Sequence, residues 1–253
     1  MRRSDQPTRE LAIERLDGEH RADDRDRVVV ENPLELRARG TPVATIMRTP
    51  GADLELVRGL LHAEGLAARA HQVDADAIEL DLDPAAFAGR GLLASAACGV
   101  CGRVAIADLE RRAREVRSDV VLPRQVLARM PAALRSAQSV FAATGGLHAA
   151  GLFTTDGVLV AAREDVGRHN AVDKVVGWAL DAGLDPARHV LFLSGRAGYE
   201  LVQKAVMLGV PVVASVSAPS SLAIELAERF GLALVGFVRE NRANIYAHGW
   251  RIA

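Results

Sequence analysis

The strongest constraint on the fold is an alternation, between residues 151 and 238, of short apolar runs with segments of helical spacing. The clearest runs lie at 189–193 and 211–215, and each is followed by a helix-period segment. Short apolar runs of this kind are typical of buried, largely parallel strands that are covered by helices on both faces. We therefore expect an α/β domain over residues 119–253.

The chain before this region has a different pattern. Residues 34–37 alternate in the strand period, residues 52–66 have helical spacing, and 42–48 and 77–82 resemble further strands. These signals predict a smaller α+β domain over residues 28–118, which ends in a Cys-x-x-Cys loop and a helix from 103 to about 116. Residues 1–27 are rich in alternating charges and poor in apolar residues, so we expect a flexible arm there.

Composition excludes several classes of partner. The 31 Lys and Arg residues balance 32 Asp and Glu, so no bulk field attracts nucleic acid or an anionic membrane. Aromatic residues are only 4 % of the chain, too few for a surface that stacks single-stranded bases. We find neither an apolar run of the roughly 18 residues that a membrane span needs nor a secretion signal. The expected location is the cytoplasm, without nucleic acid or membrane.

Cys98 and Cys101 are the only two cysteines, and glycine follows each of them. Glycine permits tight turns that leave the sulfurs accessible, and the N-terminus of a following helix favours the thiolate. A thiolate can hold a sulfane sulfur as a persulfide. The alternatives are half of a zinc site and simple packing; a structural zinc site needs four ligands, and the chain has no second cysteine pair.

A polar segment at 163–174 follows a predicted strand and opens a predicted helix. Arg168 and His169 would lie in its first turn, where backbone amides already favour an anion. We expect Asp165 to cap the helix and Asp173, four residues after His169, to orient the imidazole. The alternative is an exposed helix with salt bridges.

Three further segments come at strand ends. Ser194-Gly195-Arg196 and the serine-rich turn with Ser217 lie where α/β folds bind phosphate, although serine there is often only a helix cap. Arg239 and Arg242 could clamp a phosphate, and the turn at 144–148 could line the same groove. Phe237 could stack on a flat ring or belong to the core. Together these segments predict a groove for a ligand with several phosphates.

Taken in their order along the chain, these motifs resemble those of the formate dehydrogenase accessory sulfurtransferases, and the resemblance extends from about residue 28 to the end of the chain. The resemblance implies a cytidine-deaminase-like three-layer α/β domain with a mostly parallel sheet, plus the smaller N-terminal α+β domain. It also implies a homodimer that takes sulfur from a cysteine desulfurase. The sulfur would pass to the molybdenum bis(molybdopterin guanine dinucleotide) cofactor, a bound substrate, for the client formate dehydrogenase. No permanent cofactor or metal is expected.

The resemblance also assigns roles to residues. Cys98 would carry the persulfide and Cys101 would be its partner. The cofactor would be contacted by Phe237, Val238, Arg239, Glu240, Asn241 and Arg242. The groove inferred above from strand ends and helix starts adds Arg168, His169, Ser194, Gly195, Arg196 and Ser217 as cofactor-binding residues.

A zinc-dependent nucleobase deaminase is the competing interpretation. Deaminases need a glutamate two residues after a His or Cys ligand and a proline before the cysteine pair. Here Ala97 precedes Cys98, and Ala150 stands two residues after His148. A cofactor chaperone that binds without transferring sulfur is a third interpretation.

Overall fold

The computed structural model describes residues 6–87 and 109–253. Its strands are β1 (Thr8–Asp17), β2 (His20–Val29), β3 (Asn32–Ala38), β4 (Thr41–Arg48), β5 (Ala70–Asp74), β6 (Ala77–Leu80), β7 (His148–Thr154), β8 (Leu159–Asp165), β9 (His189–Leu193), β10 (Val212–Ser215), β11 (Ala233–Arg239) and β12 (Arg242–Ala247). Its α-helices are α1 (Asp53–Ala63), α2 (Arg124–Ala137), α3 (Ser139–Thr144), α4 (Arg168–Asp181), α5 (Tyr199–Leu208) and α6 (Ser221–Phe230).

The large domain is built on a six-stranded sheet in the order β12-β11-β10-β9-β7-β8. Only the β9–β10 and β10–β11 pairs are parallel; β7–β8, β7–β9 and β11–β12 are antiparallel. The expectation of a mostly parallel sheet is therefore wrong, because two hairpins at its margins reverse the chain. An apolar run predicts burial of a strand but not its direction.

Helices cover both faces of this sheet, as the alternation predicts. Side chains such as Leu191 and Leu193 pack with α4, α5 and α6, whereas Val190 and Phe192 point to the opposite face and pack with α2. The strand period of two thus supplies two separate cores from one strand. The domain has three layers.

The smaller domain is a four-stranded mixed sheet in the order β4-β3-β6-β5, with α1 packed on it. Leu34 and Leu36 of β3 are fully buried against Leu56 and Val57 of α1. This agrees with the α+β expectation for the region. However, Leu109 belongs to the core of the large domain, so the boundary of the small domain falls before residue 109 and not at 118.

The described part of the predicted arm is a β-hairpin and not an irregular segment. β1 and β2 pair over ten consecutive residue pairs, and ion pairs such as Arg25–Glu10 and Arg21–Glu14, each at 3.2 Å, join the strands. Because charged residues lie on both faces of this hairpin, the sequence shows no alternation of apolar and polar residues there. The two-residue turn is Gly18-Glu19, and a glycine in its first position, here at φ 59°, is the hairpin signal that the sequence contained.

The predicted helix from 103 to about 116 lies largely outside the described residues. Its described part is helical at 109–112 and extended or irregular from 113 to 119. The Val116 amide then donates to the Phe230 carbonyl, which ties this segment to the end of α6.

Candidate functional site

The predicted motifs converge at one edge of the large sheet. β8, β9, β10 and β11 run in the same direction, so their carboxyl ends meet there, together with the beginnings of β7 and β12. This is the edge at which open α/β sheets bind ligands. Segments that are far apart in sequence, such as 145–148, 194–196 and 237–242, thereby become neighbours.

A pocket of about 580 Å³ opens at this edge, within the roughly 300 to 1,000 Å³ that is usual for small-molecule sites. Of the predicted residues, Ser194 and Arg239 line it, as does the turn at 145–148 that ends in His148. The remaining wall comes from α2, α3 and the junction between them, from β9 and from the residue after β10: Pro131, Leu134, Arg135, Gln138, Phe141, Phe192 and Val216.

A second polar group lies at the same edge, on the side of α4 and α5. The His169 Nε2 lies 2.7 Å from the Glu200 carboxylate, and this hydrogen bond lowers the pKa of Glu200. Arg168 is half-buried, and Arg196 is exposed in the loop after β9. These three predicted residues do not line the pocket itself. The predicted site therefore divides into a pocket and a neighbouring charged rim.

His148 connects the two parts. Burial lowers its pKa below the ordinary value, and the positive charges of Arg168, Arg196 and His169 lower it further. A methyl group at Gly195 would lie 3.2 Å from the Nδ1 of His148, so a larger residue would crowd the imidazole. The neutral ring at the pocket wall can accept one hydrogen bond and donate another.

The buried charges of α4 differ from the predicted pairing. Asp173 does not orient His169: its carboxylate binds Lys204 Nζ at 2.7 and 2.9 Å. Burial raises the pKa of Asp173, and the ammonium group of Lys204 opposes that shift. The spacing of four residues was compatible with a His169–Asp173 pair, but a lysine on the adjacent helix is the stronger partner for a buried carboxylate.

Asp165 is not the cap of α4: Gly167 occupies the capping position, no side chain caps the helix, and the carboxylate of Asp165 has other partners. Its carboxylate accepts hydrogen bonds from the amide of Gly167 at 2.9 Å, the side chain of Asn170 at 2.8 Å and the amide of Thr49 at 3.1 Å. Lys174 lies 2.7 Å from it. Since Thr49 belongs to the loop between β4 and α1, this buried carboxylate joins the two domains beside the charged rim.

The last three residues of β8 anchor three different elements. The Arg163 guanidinium binds Glu55 of α1 at 2.5 and 2.7 Å, while Asp165 holds the loop at Thr49. Glu164 points to the other face and accepts hydrogen bonds from the amides of Val140 and Phe141 at 3.0 and 2.7 Å. This strand end therefore fixes α1, α3 and the start of α4 with respect to the large sheet.

The serines at the strand ends hold the backbone as well as lining the edge. The Ser194 hydroxyl accepts a hydrogen bond from the Ala149 amide at 2.7 Å. The Ser217 carbonyl accepts the Ser215 hydroxyl at 2.6 Å and the Phe237 amide at 3.2 Å. Ser220 caps α6 through the Ala223 amide, which is the ordinary role of a serine at a helix start.

The segment at 237–242 comprises the end of β11, the turn at 240–241 and the first residue of β12. Phe237 has a positive φ of 52° and is 39 % exposed, so it is not a core residue. Val238 is fully buried and packs in the core, so its side chain does not face the pocket, and any contact with a ligand would have to come from its main chain. Arg239 donates to the Val216 and Val238 carbonyls at 2.8 Å, which holds it at the pocket. The remaining residues of the segment, Glu240, Asn241 and Arg242, are exposed.

Cys98 and Cys101 lie outside the described residues. Within the described part of the chain, no three His, Cys, Asp or Glu side chains are grouped as metal ligands. Among those same residues, no helix is both long and apolar enough to cross a membrane.

Sequence reasoning missed Arg135, Gln138 and Phe141. Arg135 lies in α2, Phe141 lies in α3 and Gln138 lies between them, and no motif spacing distinguishes these residues. A lone arginine next to an apolar helix face was the only available signal.

Comparisons with known proteins agree with this geometry. A chain from Desulfotalea psychrophila, described as a formate dehydrogenase accessory protein, superposes with a TM-score of 0.79 over 97 % of this chain and 99 % of its own; at 24 % identity it establishes the fold. Proteins named sulfur carrier protein FdhD from Nocardia farcinica and Anaeromyxobacter dehalogenans are 47 % and 48 % identical. Each alignment covers 90 % of this chain and 88 % or 89 % of the relative.

The model of one protein family also matches most of the sequence, over residues 29–253, which include the Cys98–Cys101 segment and every element of the pocket. The chain belongs to the FdhD/NarQ family.

Proposed function

We propose that the protein is a sulfurtransferase. It accepts sulfane sulfur from a cysteine desulfurase as a persulfide on Cys98 and delivers it to the molybdenum bis(molybdopterin guanine dinucleotide) cofactor. The observation that carries the proposal is the family match across residues 29–253, which includes the cysteine pair, together with relatives that are named sulfur carrier proteins.

Loading needs no external oxidant. The Cys98 thiolate attacks the terminal sulfur of the donor persulfide, and a new S–S bond forms on Cys98. The donor S–S bond breaks, its electron pair stays on the donor cysteine, and that thiolate takes up a proton. The glycines after both cysteines support access for such an in-line attack.

Release uses the second cysteine. The Cys101 thiolate attacks the Cys98 sulfur, and the terminal sulfur leaves as sulfide, which the molybdenum takes as a ligand. A Cys98–Cys101 disulfide remains, and a cellular dithiol reduces it before the next cycle. Without Cys101, the protein would load but deliver sulfur poorly.

The sheet edge would hold the cofactor. Arg239 and Arg168 offer forked donors that suit a pyrophosphate, and Ser194 and His148 offer further hydrogen bonds at the pocket wall. The pocket volume of about 580 Å³ fits one nucleotide end rather than the whole bis-cofactor. A homodimer would supply a second such pocket for the other end.

The client would be a formate dehydrogenase, because the similar chain from Desulfotalea psychrophila is described as an accessory protein of that enzyme. We place the protein in the cytoplasm, where the desulfurase and the apo-dehydrogenase are made, and expect no nucleic acid or membrane partner.

Intact mass spectrometry tests the sulfur role. The protein is incubated with a cysteine desulfurase and cysteine, beside the variants Cys98→Ala and Cys101→Ala. We expect a gain of one sulfur atom in the wild type and in Cys101→Ala, and none in Cys98→Ala. Loading of Cys98→Ala alone would exchange the two roles, and no loading in the wild type would leave a cofactor chaperone as the better interpretation.

A further inference from the structure

Arg135 and Phe141 form one wall of the pocket. The guanidinium carbon of Arg135, near the end of α2, lies 4.0 Å from the centre of the Phe141 ring in α3. Both residues line the pocket, Arg135 is exposed and Phe141 is half-buried. Neither belongs to the motifs from which the site was predicted.

The wall is flat and carries a positive charge. Phe141 covers one face of the planar guanidinium, and such stacked arginine–aromatic pairs bind flat π-systems well. The apolar residues Leu134, Phe192 and Val216 line the same pocket, and Arg239 adds a second guanidinium. A flat ring with an attached phosphate matches this combination better than an aliphatic ligand would.

A carboxylate from another element sets the position of this wall. α3 is only six residues long, and the side chain of its capping residue, Gln138, makes no capping hydrogen bond. Glu164 of β8 instead accepts the Val140 and Phe141 amides at 3.0 and 2.7 Å. Phe141 is therefore tied through its own amide to the sheet that carries the rest of the pocket.

We propose that Arg135 and Phe141 form a stacking platform for the flat bicyclic heterocycle of the ligand, and that Glu164 is the positioning residue that holds the platform in place. This deepens the proposed function, on which it rests for the identity of the ligand. The cofactor contains two such ring systems, a guanine and a pterin, and both have the required chemistry.

Calorimetric titration of the full chain with three probes tests the platform. GMP carries the purine and a phosphate, ribose 5-phosphate carries the phosphate alone, and 6-hydroxymethylpterin carries the pterin. The wild type binds GMP or the pterin more tightly than ribose 5-phosphate, and whichever ring binds more tightly identifies the source. Arg135→Ala weakens binding of that ring by about tenfold, the usual size of a lost stacking contact, and leaves ribose 5-phosphate unchanged.

Two comparisons separate stacking from general damage. Arg135→Lys keeps the positive charge but lacks the planar guanidinium group. If stacking matters, it therefore loses as much affinity for the ring as Arg135→Ala does. Arg129→Ala removes an exposed arginine of the same helix that does not line the pocket, and it leaves all three affinities unchanged. No ring binding in the wild type, or equal losses for the ring and for ribose 5-phosphate in Arg135→Ala, would overturn the platform.

Glu164 has its own test. Glu164→Ala weakens ring binding and spares ribose 5-phosphate, whereas Glu164→Gln, which keeps one acceptor oxygen, gives an intermediate loss. Equal losses for both probes with a lowered melting temperature would make Glu164 merely structural and overturn its positioning role. Desulfurase loading of the wild type, measured by mass, tests the sulfur role separately: failed loading refutes the sulfur role and leaves the platform standing.

Discussion

The α-carbon of Gly177 in α4 lies directly against the carbonyl oxygen of Glu55 in α1, so closely that a methyl group at Gly177 would overlap that oxygen. The contact is reciprocal, because a methyl group at Gly59 of α1 would overlap the carbonyl oxygen of Asp173 in α4. Two glycines on facing helices thus let the backbones touch. This contact, with the Arg163–Glu55 ion pair, joins the small domain to the helix that begins at the charged rim.

Replacing either glycine should separate the helices. Alanine favours an isolated helix by about 1 kcal/mol over glycine, but overpacking a close contact costs about 1 to 3 kcal/mol, and here the obstacle is backbone. We therefore expect Gly177→Ala to lower the free energy of unfolding in urea. Gly198→Ser, at a helix start with open space around it, is the control and should change stability by only a few tenths of a kcal/mol. If the free energy of unfolding of Gly177→Ala were unchanged, the two helices would be able to move apart without loss of stability.

The buried Lys204–Asp173 pair should be costly to break. Lys204→Ala leaves a carboxylate buried without its cation, and we expect a loss of about 3 to 5 kcal/mol in the free energy of unfolding. The double variant Asp173→Leu with Lys204→Met removes both charges and should recover most of that loss. Denaturation in urea measures both values. Equal stability of Lys204→Ala and the double variant would contradict this expectation, because it would mean that solvent reaches the Asp173 carboxylate and replaces the lysine.

His148 should make stability depend on pH. Its folded-state pKa is lowered, so above about pH 6.5 neither the folded nor the unfolded state is protonated there and the residue contributes no pH dependence. Below that value the unfolded chain takes up the proton first, and the folded state loses stability. The wild type should therefore lose more free energy of unfolding than His148→Gln between pH 7.5 and pH 5.5. Parallel losses in the two proteins would contradict the pKa shift.

Phe237 should lower the stability of the fold and strengthen the binding of the ligand. A bulky residue at positive φ is strained by about 1 kcal/mol or more, and glycine relieves that strain. We expect the free energy of unfolding of Phe237→Gly to be about 1 kcal/mol higher than that of Phe237→Ala, because alanine keeps the strained backbone. Both variants should bind GMP more weakly than the wild type if the ring contacts the ligand. Equal stability of the two variants would place the strain elsewhere.

Much of the architecture follows from apolar periodicity. The strand at 189–193 has the predicted bounds because burial on both faces gives it an uninterrupted apolar run, and the helix-period segments after 189–193 and 211–215 are α5 and α6. The direction of the antiparallel strands was harder to predict, since it depends on the turns and not on the apolar residues. The charged β1–β2 hairpin has no buried face, so its ladder and cross-strand ion pairs leave no hydrophobic signal.

The site was predictable to the extent that its residues follow strands. Ser194, Arg239 and His148 meet in the pocket because strand ends of one sheet share an edge. Val238 could not be distinguished from its exposed neighbours, because the bulge in β11 decides which side chains face inward. The partners of Asp173 and Phe141 come from other helices and strands, and no local spacing encodes such pairings.

The end of β8 has a consequence for how the chain can vary. Arg163 and Asp165 face one side of the sheet and Glu164 the other, and each holds a different element. Deleting or inserting one residue before them would turn all three side chains to the wrong faces at once, because successive residues of a strand alternate. Length changes should thus be tolerated in the β1–β2 hairpin, two residues at a time, but not in β8. A change of one residue in this short strand would therefore release α1, α3 and the start of α4 from the large sheet together.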